Sequence, residues 1–179
     1  GMDVVVSRDH DVIRQAKGIV LPGVGTFPVA MEHLKQYDLI DILNERQQAG
    51  IPILGICLGM QVLFEKGYEV CPTQGLGFLK GEVRRMEVQA KIPHMGWNDL
   101  TMQQKHPLMQ YVHQGDYVYF VHSYMAYPTD DELIAYCEYG QEKITAVVAK
   151  DNVMGCQFHP EKSGKVGQKI LLAFKEMVK

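Results

Sequence analysis

The stretch Ile51-Pro52-Ile53-Leu54-Gly55-Ile56-Cys57-Leu58-Gly59-Met60-Gln61 decides how this chain folds. An apolar run ends at a cysteine with one glycine two places before it and another two places after. The pattern predicts a buried strand over 51–56, a sharp turn at Cys57 and a helix over 58–66. Such a turn forces its middle residue into a strained backbone, and only small flanking residues leave room for it. It exposes the side chain at the carboxyl end of the strand. The helix that follows points its amino terminus at the sulfur, so the Cys57 pKa is expected below that of free cysteine. This is the pattern of a nucleophile elbow with Cys in place of Ser. Taken alone, it also fits a buried cysteine in an ordinary βα loop.

Outward from the elbow, Val4-Val5-Val6 reads as a short strand, and Gly18-Ile19-Val20-Leu21 as a second one stopped by Pro22-Gly23-Val24-Gly25. Helices are expected over 28–36 and 38–48, with Asp38 as N-cap of the latter. This alternation predicts an α/β fold: an open, mostly parallel sheet flanked by helices. After a turn-rich segment at 75–81, strands are expected over 82–88, 117–121, 133–139, 144–149 and 153–158. Several lie close together, so part of this region is expected to be antiparallel. An amphipathic helix over 165–178 closes the chain, with Ile170, Leu171, Phe174 and Met177 on one side. The 179 residues suffice for one domain with a substantial core.

Composition excludes several function classes. Hydrophobic residues make up 46% and charged residues 22% of the chain, as in an ordinary globular protein. A net charge of -3 offers no basic stripe to neutralise phosphates, so nucleic acid is not the expected partner. No apolar run approaches the roughly 18 residues of a membrane span. The four cysteines include no Cys-x-x-Cys pair, and the chain shows no secretory signal, so reduced thiols in a cytoplasmic protein are expected and a zinc site is not.

A thiol nucleophile needs a base within hydrogen-bond reach and a group to orient that base. Gln157-Phe158-His159-Pro160-Glu161 follows an apolar strand, and His159 and Glu161 can share one side of it. Pro160 stiffens the link, so the carboxylate can hold the imidazole tautomer. In isolation a His-Pro-Glu tripeptide is more often a solvated loop. With Cys57 on another strand end it gains meaning, because open α/β sheets gather their sites at carboxyl ends of strands. The N–H of Leu58 and the glycines of Pro22-Gly23-Val24-Gly25-Thr26 are candidate donors for an oxyanion. His10, His33, His106 and His113 lie in polar, loop-like contexts. His94 and His122 sit in denser segments. Trp97, the only tryptophan, stands between Gly96 and Asn98, which suggests a loop aromatic serving as hinge, core plug or interface anchor.

The elbow and His159-Pro160-Glu161 together resemble the class I, triad-type glutamine amidotransferases. Leu21-Pro22-Gly23-Val24-Gly25-Thr26, Pro93-His94-Met95-Gly96-Trp97-Asn98, Phe120-Val121-His122-Ser123-Tyr124 and Phe158-His159-Pro160-Glu161-Lys162-Ser163-Gly164 narrow the resemblance to the glutaminase subunits of imidazole glycerol phosphate synthases. It implies a flavodoxin-like sheet and a catalytic triad of Cys57, His159 and Glu161. Gly23, Val24 and Leu58 would form the oxyanion hole. Gly25, Gln61, Glu69, Ser123 and Tyr124 match positions that hold L-glutamine. The implied partner is a (βα)8-barrel cyclase subunit that receives the ammonia, with His94, Trp97 and Asn98 at the interface; no cofactor and no metal are implied. Family members begin with a further strand and helix, about 30 residues, before the segment that starts here at Asp3. The expectation is therefore a single domain over 1–179 that lacks this first unit and exposes a strand edge. Alternatives are the glutaminase of another synthase, a catalytically silent fragment that only binds a partner, and a stand-alone thiol hydrolase.

Overall fold

The computed structural model describes residues 1–179 and begins with an extended segment that joins no sheet. Val4, Val5 and Val6 are exposed and unpaired, so the expected strand there does not form. Valine favours a strand only where a neighbouring backbone takes its N–H and C=O groups and a packed face takes its side chain. A short helix not expected from the sequence follows, α1 (His10–Gln15). It is capped by the Asp9 carboxylate, which accepts from the N–H groups of Asp11 at 2.8 Å and Val12 at 3.2 Å.

Next come β1 (Ile19–Leu21), α2 (Phe27–Gln36), α3 (Leu39–Gln48) and β2 (Ile53–Ile56). Asp38 stands at the N-cap of α3 as expected, but it sits in the left-handed region at φ 53° and makes no side-chain cap hydrogen bond. The elbow helix α4 (Leu58–Gln61) is a single turn, and the chain then turns into β3 (Phe64–Gly67). The expected helix to residue 66 is thus overridden: β3 hydrogen-bonds between β4 (Thr73–Gln74) and β5 (Leu79–Arg85), and that tertiary pairing outweighs local helix preference. The remaining elements are β6 (His94–Asp99), β7 (Thr101–Met102), β8 (Tyr117–His122), β9 (Tyr124–Pro128), β10 (Leu133–Tyr139), β11 (Glu142–Lys150), β12 (Val153–Cys156) and α5 (Gly164–Met177). Trp97, expected as a loop aromatic, lies instead within β6. No helix is long and apolar enough to cross a membrane.

The main sheet has the order β1-β2-β12-β11-β10-β7, with β1 at one edge. Its β1, β2 and β12 strands run parallel; β12, β11, β10 and β7 pair antiparallel. The sheet is therefore mixed, and its antiparallel half is the crowded carboxyl-terminal part of the sequence. A second sheet, β4-β3-β5-β9, and a two-stranded ribbon, β6-β8, stand beside it. Every residue of β2 and β12 is buried. Alternation along these strands divides their side chains between two cores. Leu54, Ile56, Met154 and Cys156 pack with Ile170 and Phe174 of α5. Ile53 and Val153 pack with Phe27, Met31 and Leu34 of α2 and Leu43 of α3. Helices thus cover both sides of the two parallel strands whose carboxyl ends lead to Cys57 and His159.

Candidate active site

Cys57 is the residue immediately after β2, and its N–H donates to the Cys156 carbonyl at 2.8 Å. Its backbone sits at φ 55°, ψ -114°, a strained conformation for a residue with a side chain. The flanking glycines explain how the strain is housed. A Cβ on Gly55 would lie 2.6 Å from the Gly59 carbonyl oxygen and 2.7 Å from the Met60 Cα, and one on Gly59 would collide with the Leu21 carbonyl. The turn and the end of β1 therefore interlock, backbone against backbone, and the strained turn at Cys57 is formed as the sequence predicts.

His159 lies three residues beyond Cys156, which is in register with Ile56 on the adjacent parallel strand. Its Nδ1 is 2.7 Å from Glu161 Oε1. A carboxylate can only accept, so Nδ1 carries the proton and Nε2 is left as the basic nitrogen. The turn holding His159 is pinned: its N–H donates to the Tyr119 carbonyl at 3.1 Å, and its own carbonyl accepts from Ser163 Oγ at 2.6 Å. Ser163 is buried and also accepts from the Tyr119 N–H at 2.9 Å. His159 is buried while the Glu161 side chain is about half exposed. The structure thus brings His159 and Glu161 together on one side of the strand end.

The sulfur departs from expectation. Burial pushes the Cys57 thiol up rather than down; the Leu58 N–H, Lys162 and the Gln157 amide favour the thiolate but do not overcome it, and Glu161 opposes it. The physical reason is that α4, only four residues long, has little dipole to offer, while the apolar surroundings disfavour charge. The direct side-chain partner of Cys57 Sγ is the amide of Gln157, Nε2 to Sγ 3.7 Å, and not His159. A neutral thiol that gives up its proton during attack is the chemistry this environment supports. Gln157 is fully buried, and the sequence pattern assigns it no role although it adjoins the His-Pro-Glu run. The available signal was an amide at the end of an otherwise apolar strand.

Gly23 packs against the elbow: a Cβ there would be 3.2 Å from both the Gly59 nitrogen and Leu58 Cβ. Val24 is 87% exposed and Gly25 adopts φ 106°, so the loop between β1 and α2 stands over the elbow. A cavity of about 160 Å3 under this loop is lined by Pro22, Gly23, Val24, Leu58, Gly59 and residues of α2. A larger cavity, about 660 Å3, lies among residues 102–112 and contains none of the expected site residues.

Other residues are committed inside the protein. Gln61 is buried, and its Nε2 donates to the Tyr124 carbonyl at 3.1 Å and to Gln157 Oε1 at 3.0 Å. The Glu69 carboxylate accepts from the Phe27 N–H at 3.0 Å, so it caps α2, whose N-cap Thr26 makes no side-chain bond. The Ser123 carbonyl accepts from the Met86 N–H at 3.0 Å.

His94, expected at an interface, is only 2% exposed. It stacks between Phe120 and Tyr139 at centroid distances of 4.7 and 4.1 Å, and its Nδ1 is 3.0 Å from His122 Nε2. Burial lowers the pKa of both His94 and His122 to about 4. His122 Nδ1 donates to the Tyr124 carbonyl at 2.9 Å, which leaves its Nε2 to accept from His94 Nδ1. His94 Nε2 in turn accepts from Asn98 Nδ2 at 3.3 Å. Alternation along β6 sends Trp97 the other way, 56% exposed beside exposed Met95.

Comparison with known proteins agrees with this geometry. The family described as glutamine amidotransferase class-I matches residues 4–177. A curated protein of Lactococcus lactis subsp. lactis (strain IL1403), imidazole glycerol phosphate synthase subunit HisH, is 59% identical over 99% of this chain and 88% of its own length. The protein of the same name from Bacillus cereus (strain G9842) is 47% identical over 99% of this chain and 85% of its own. Among solved structures, a glutamine amidotransferase superposes with a TM-score of 0.67 at 19% identity, covering 94% of this chain and 85% of that one. The glutaminase domain of Trypanosoma brucei CTPS with bound acivicin gives 0.60 at 16% identity, covering 93% and 74%. At these identities the structural likenesses establish the fold alone.

Proposed function

This chain belongs to the class I glutamine amidotransferase family, and on that premise we propose that it is the glutamine-hydrolysing subunit of an imidazole glycerol phosphate synthase, acting in histidine biosynthesis. The supporting observation is the convergence of Cys57, on its strained turn, with the 2.7 Å His159–Glu161 pair at the ends of neighbouring parallel strands.

Cys57 Sγ attacks the side-chain amide carbon of L-glutamine while His159 Nε2 takes the thiol proton. The tetrahedral oxyanion is met by the Leu58 N–H and by the loop carrying Gly23 and Val24. Collapse forms a glutamyl thioester, and His159 passes its proton to the departing ammonia. Water, deprotonated by the same nitrogen, then releases glutamate and the free thiol. Glu161 holds the Nδ1–H tautomer throughout. Direct contact between Sγ and Nε2 belongs to the substrate complex, since catalytic hydrogen bonds often tighten only there. Gly25, Gln61, Glu69, Ser123 and Tyr124 are assigned to the glutamine subsite. Gln61 and Glu69 serve it from the rear, by holding the Tyr124 carbonyl and the start of α2. Ammonia passes to a (βα)8-barrel cyclase seated on the exposed face of β6 around Trp97, with Asn98 at its margin and His94 behind it. The working location is the cytoplasm.

The test is glutamate release from L-glutamine by the full chain, with and without a barrel cyclase subunit carrying its nucleotide ligand. Release that depends on the partner and disappears in Cys57→Ala is expected. Release by Cys57→Ala equal to that of the unmodified chain would overturn the proposal.

A further inference from the structure

Gln157 sits one residue beyond β12, two before the base, with no exposed surface. Burying an amide requires partners for its oxygen and for its nitrogen. The backbone of Gln157 is fixed by its N–H to the Ala146 carbonyl at 2.9 Å. Its side chain reaches two others: Oε1 lies 3.0 Å from Gln61 Nε2, and Nε2 lies 3.7 Å from Cys57 Sγ.

The direction of these bonds follows from an acceptor that cannot change role. The Tyr124 carbonyl only accepts, and it meets His122 Nδ1 at 2.9 Å and Gln61 Nε2 at 3.1 Å. Gln61 therefore presents its NH2 group to this corner, and the same group reaches Gln157. Gln157 must answer with its oxygen, which turns its own NH2 toward the sulfur. Flipping either amide would set N–H against N–H or oxygen against oxygen. The buried chain from Tyr124 through Gln61 to Gln157 thus delivers one oriented N–H donor to the nucleophile from inside the protein, on a different element from the Leu58 N–H.

We propose that Gln157 is a positioning residue for Cys57: its amide, oriented by Gln61, holds Sγ at the mouth of the elbow and solvates the thiolate as it forms. A sulfur on a strained turn in apolar surroundings has few polar neighbours to set its rotamer. A buried donor fixes the rotamer without entering the space for substrate. It also supplies part of the stabilisation that the four-residue α4 cannot. The direction in which Gln157 moves the Cys57 thiol, toward easier ionisation, agrees with this. The titratable and charged groups around the sulfur are His159, Glu161 and Lys162 from the turn after β12, with His122 of β8 beyond His159. The proposal rests on the amidotransferase assignment for its catalytic consequence but not for its geometry.

Two variants separate positioning from packing. Gln157→Met keeps the volume and loses both polar atoms. Gln157→Glu keeps an acceptor for Gln61 but replaces the donor facing sulfur with a carboxylate oxygen. The reading is the rate of Cys57 alkylation by iodoacetamide from pH 6 to 10, resolved from the other cysteines by peptide mass spectrometry, together with kcat and KM for partner-stimulated glutaminase. If Gln157 positions the thiol, Gln157→Met moves the alkylation midpoint to higher pH and lowers kcat about tenfold or more with little change in KM. Gln157→Glu is then worse than Gln157→Met. If the amide only ties Gln61 into the core, Gln157→Glu stays nearer the unmodified chain than Gln157→Met, and that order, or an unmoved midpoint in both, overturns the proposal. Should these variants not fold, Gln61→Met keeps Gln157 but removes its orienting partner; a smaller shift of the same sign is expected, and none refutes the chain. Alkylation needs no turnover. If the unmodified complex releases no glutamate, the functional assignment fails while the positioning test can still be read.

Discussion

Two histidine sites in this molecule are buried to similar degrees and have opposite chemistry. Just beyond β12, His159 gives Nδ1 to the carboxylate of Glu161 and leaves Nε2 without a protein partner. In the β6–β8 ribbon, His94 gives its N–H to His122, His122 gives its own to the Tyr124 carbonyl, and every ring nitrogen is occupied. A carboxylate faces the first imidazole; the second pair is held neutral by desolvation with no anion to offset it. Burial alone does not make a histidine catalytic. What meets the second nitrogen decides the matter.

The largest effect expected from breaking this contrast is on activity. His159→Ala should lower partner-stimulated glutamate release by at least about a thousandfold, while ammonia-driven synthesis by the partner survives. Glu161→Gln should cost about a hundredfold through loss of the anion that holds the tautomer. Rates within threefold of the unmodified chain would remove the triad from the mechanism.

The buried pair should speak through stability instead. With folded-state pKa values of about 4 against 6.5 unfolded, both rings are neutral in both states above pH 6.5. Between those limits the unfolded chain takes up protons that the folded chain refuses, so stability falls as pH drops from about 6.5 to about 4. The slope is about 1.4 kcal/mol per pH unit for each imidazole. Urea titrations at pH 7, 5.5 and 4.5 should show this slope, and His94→Gln should flatten it; an equal slope in the variant would assign acid sensitivity elsewhere.

A finer comparison sets Cys57 against Cys71. Cys71 is exposed, whereas Cys57 is partly buried with its thiol pushed up. In the absence of glutamine and partner, iodoacetamide should modify Cys71 first, Cys57 next, and buried Cys137 and Cys156 last. Cys57 reacting ahead of Cys71 would mean that the elbow activates its sulfur before substrate arrives. The smallest effect on the isolated chain is expected at Trp97. More than half exposed, it should leave stability within about 0.5 kcal/mol when changed to Ala, yet weaken association with a barrel cyclase measured by calorimetry. Unchanged association would place the interface off β6.

Much of the architecture, the Cys57 turn and the His159–Glu161 pair could be read from residue order, because all rest on local backbone rules. A Gly-x-Cys-x-Gly turn after an apolar run admits few conformations, and His-Pro-Glu sets base and carboxylate two residues apart on a stiff link. The strand–helix alternation up to β2 and the closing helix α5 follow from periodicity, which is also local. What lay beyond the sequence depends on neighbours distant along the chain. Residues 64–67 become β3 because β5 offers a ladder, and Val4–Val6 stay unpaired despite their strand preference. Val4–Val6 and the cut-short α4 show the same rule from opposite sides: pairing and burial outrank propensity.

The sequence by itself therefore determined the strained turn at Cys57, the pairing of His159 with Glu161 and the glycine loop packed against that turn, since each is specified within a few residues by steric limits on the backbone. Only the tertiary structure decided their electrostatic state. Desolvation is a sum over everything packed around a group, so the raised thiol of Cys57, the neutral His94–His122 pair and the orientation of Gln157 arise from contacts spanning up to 100 residues of sequence.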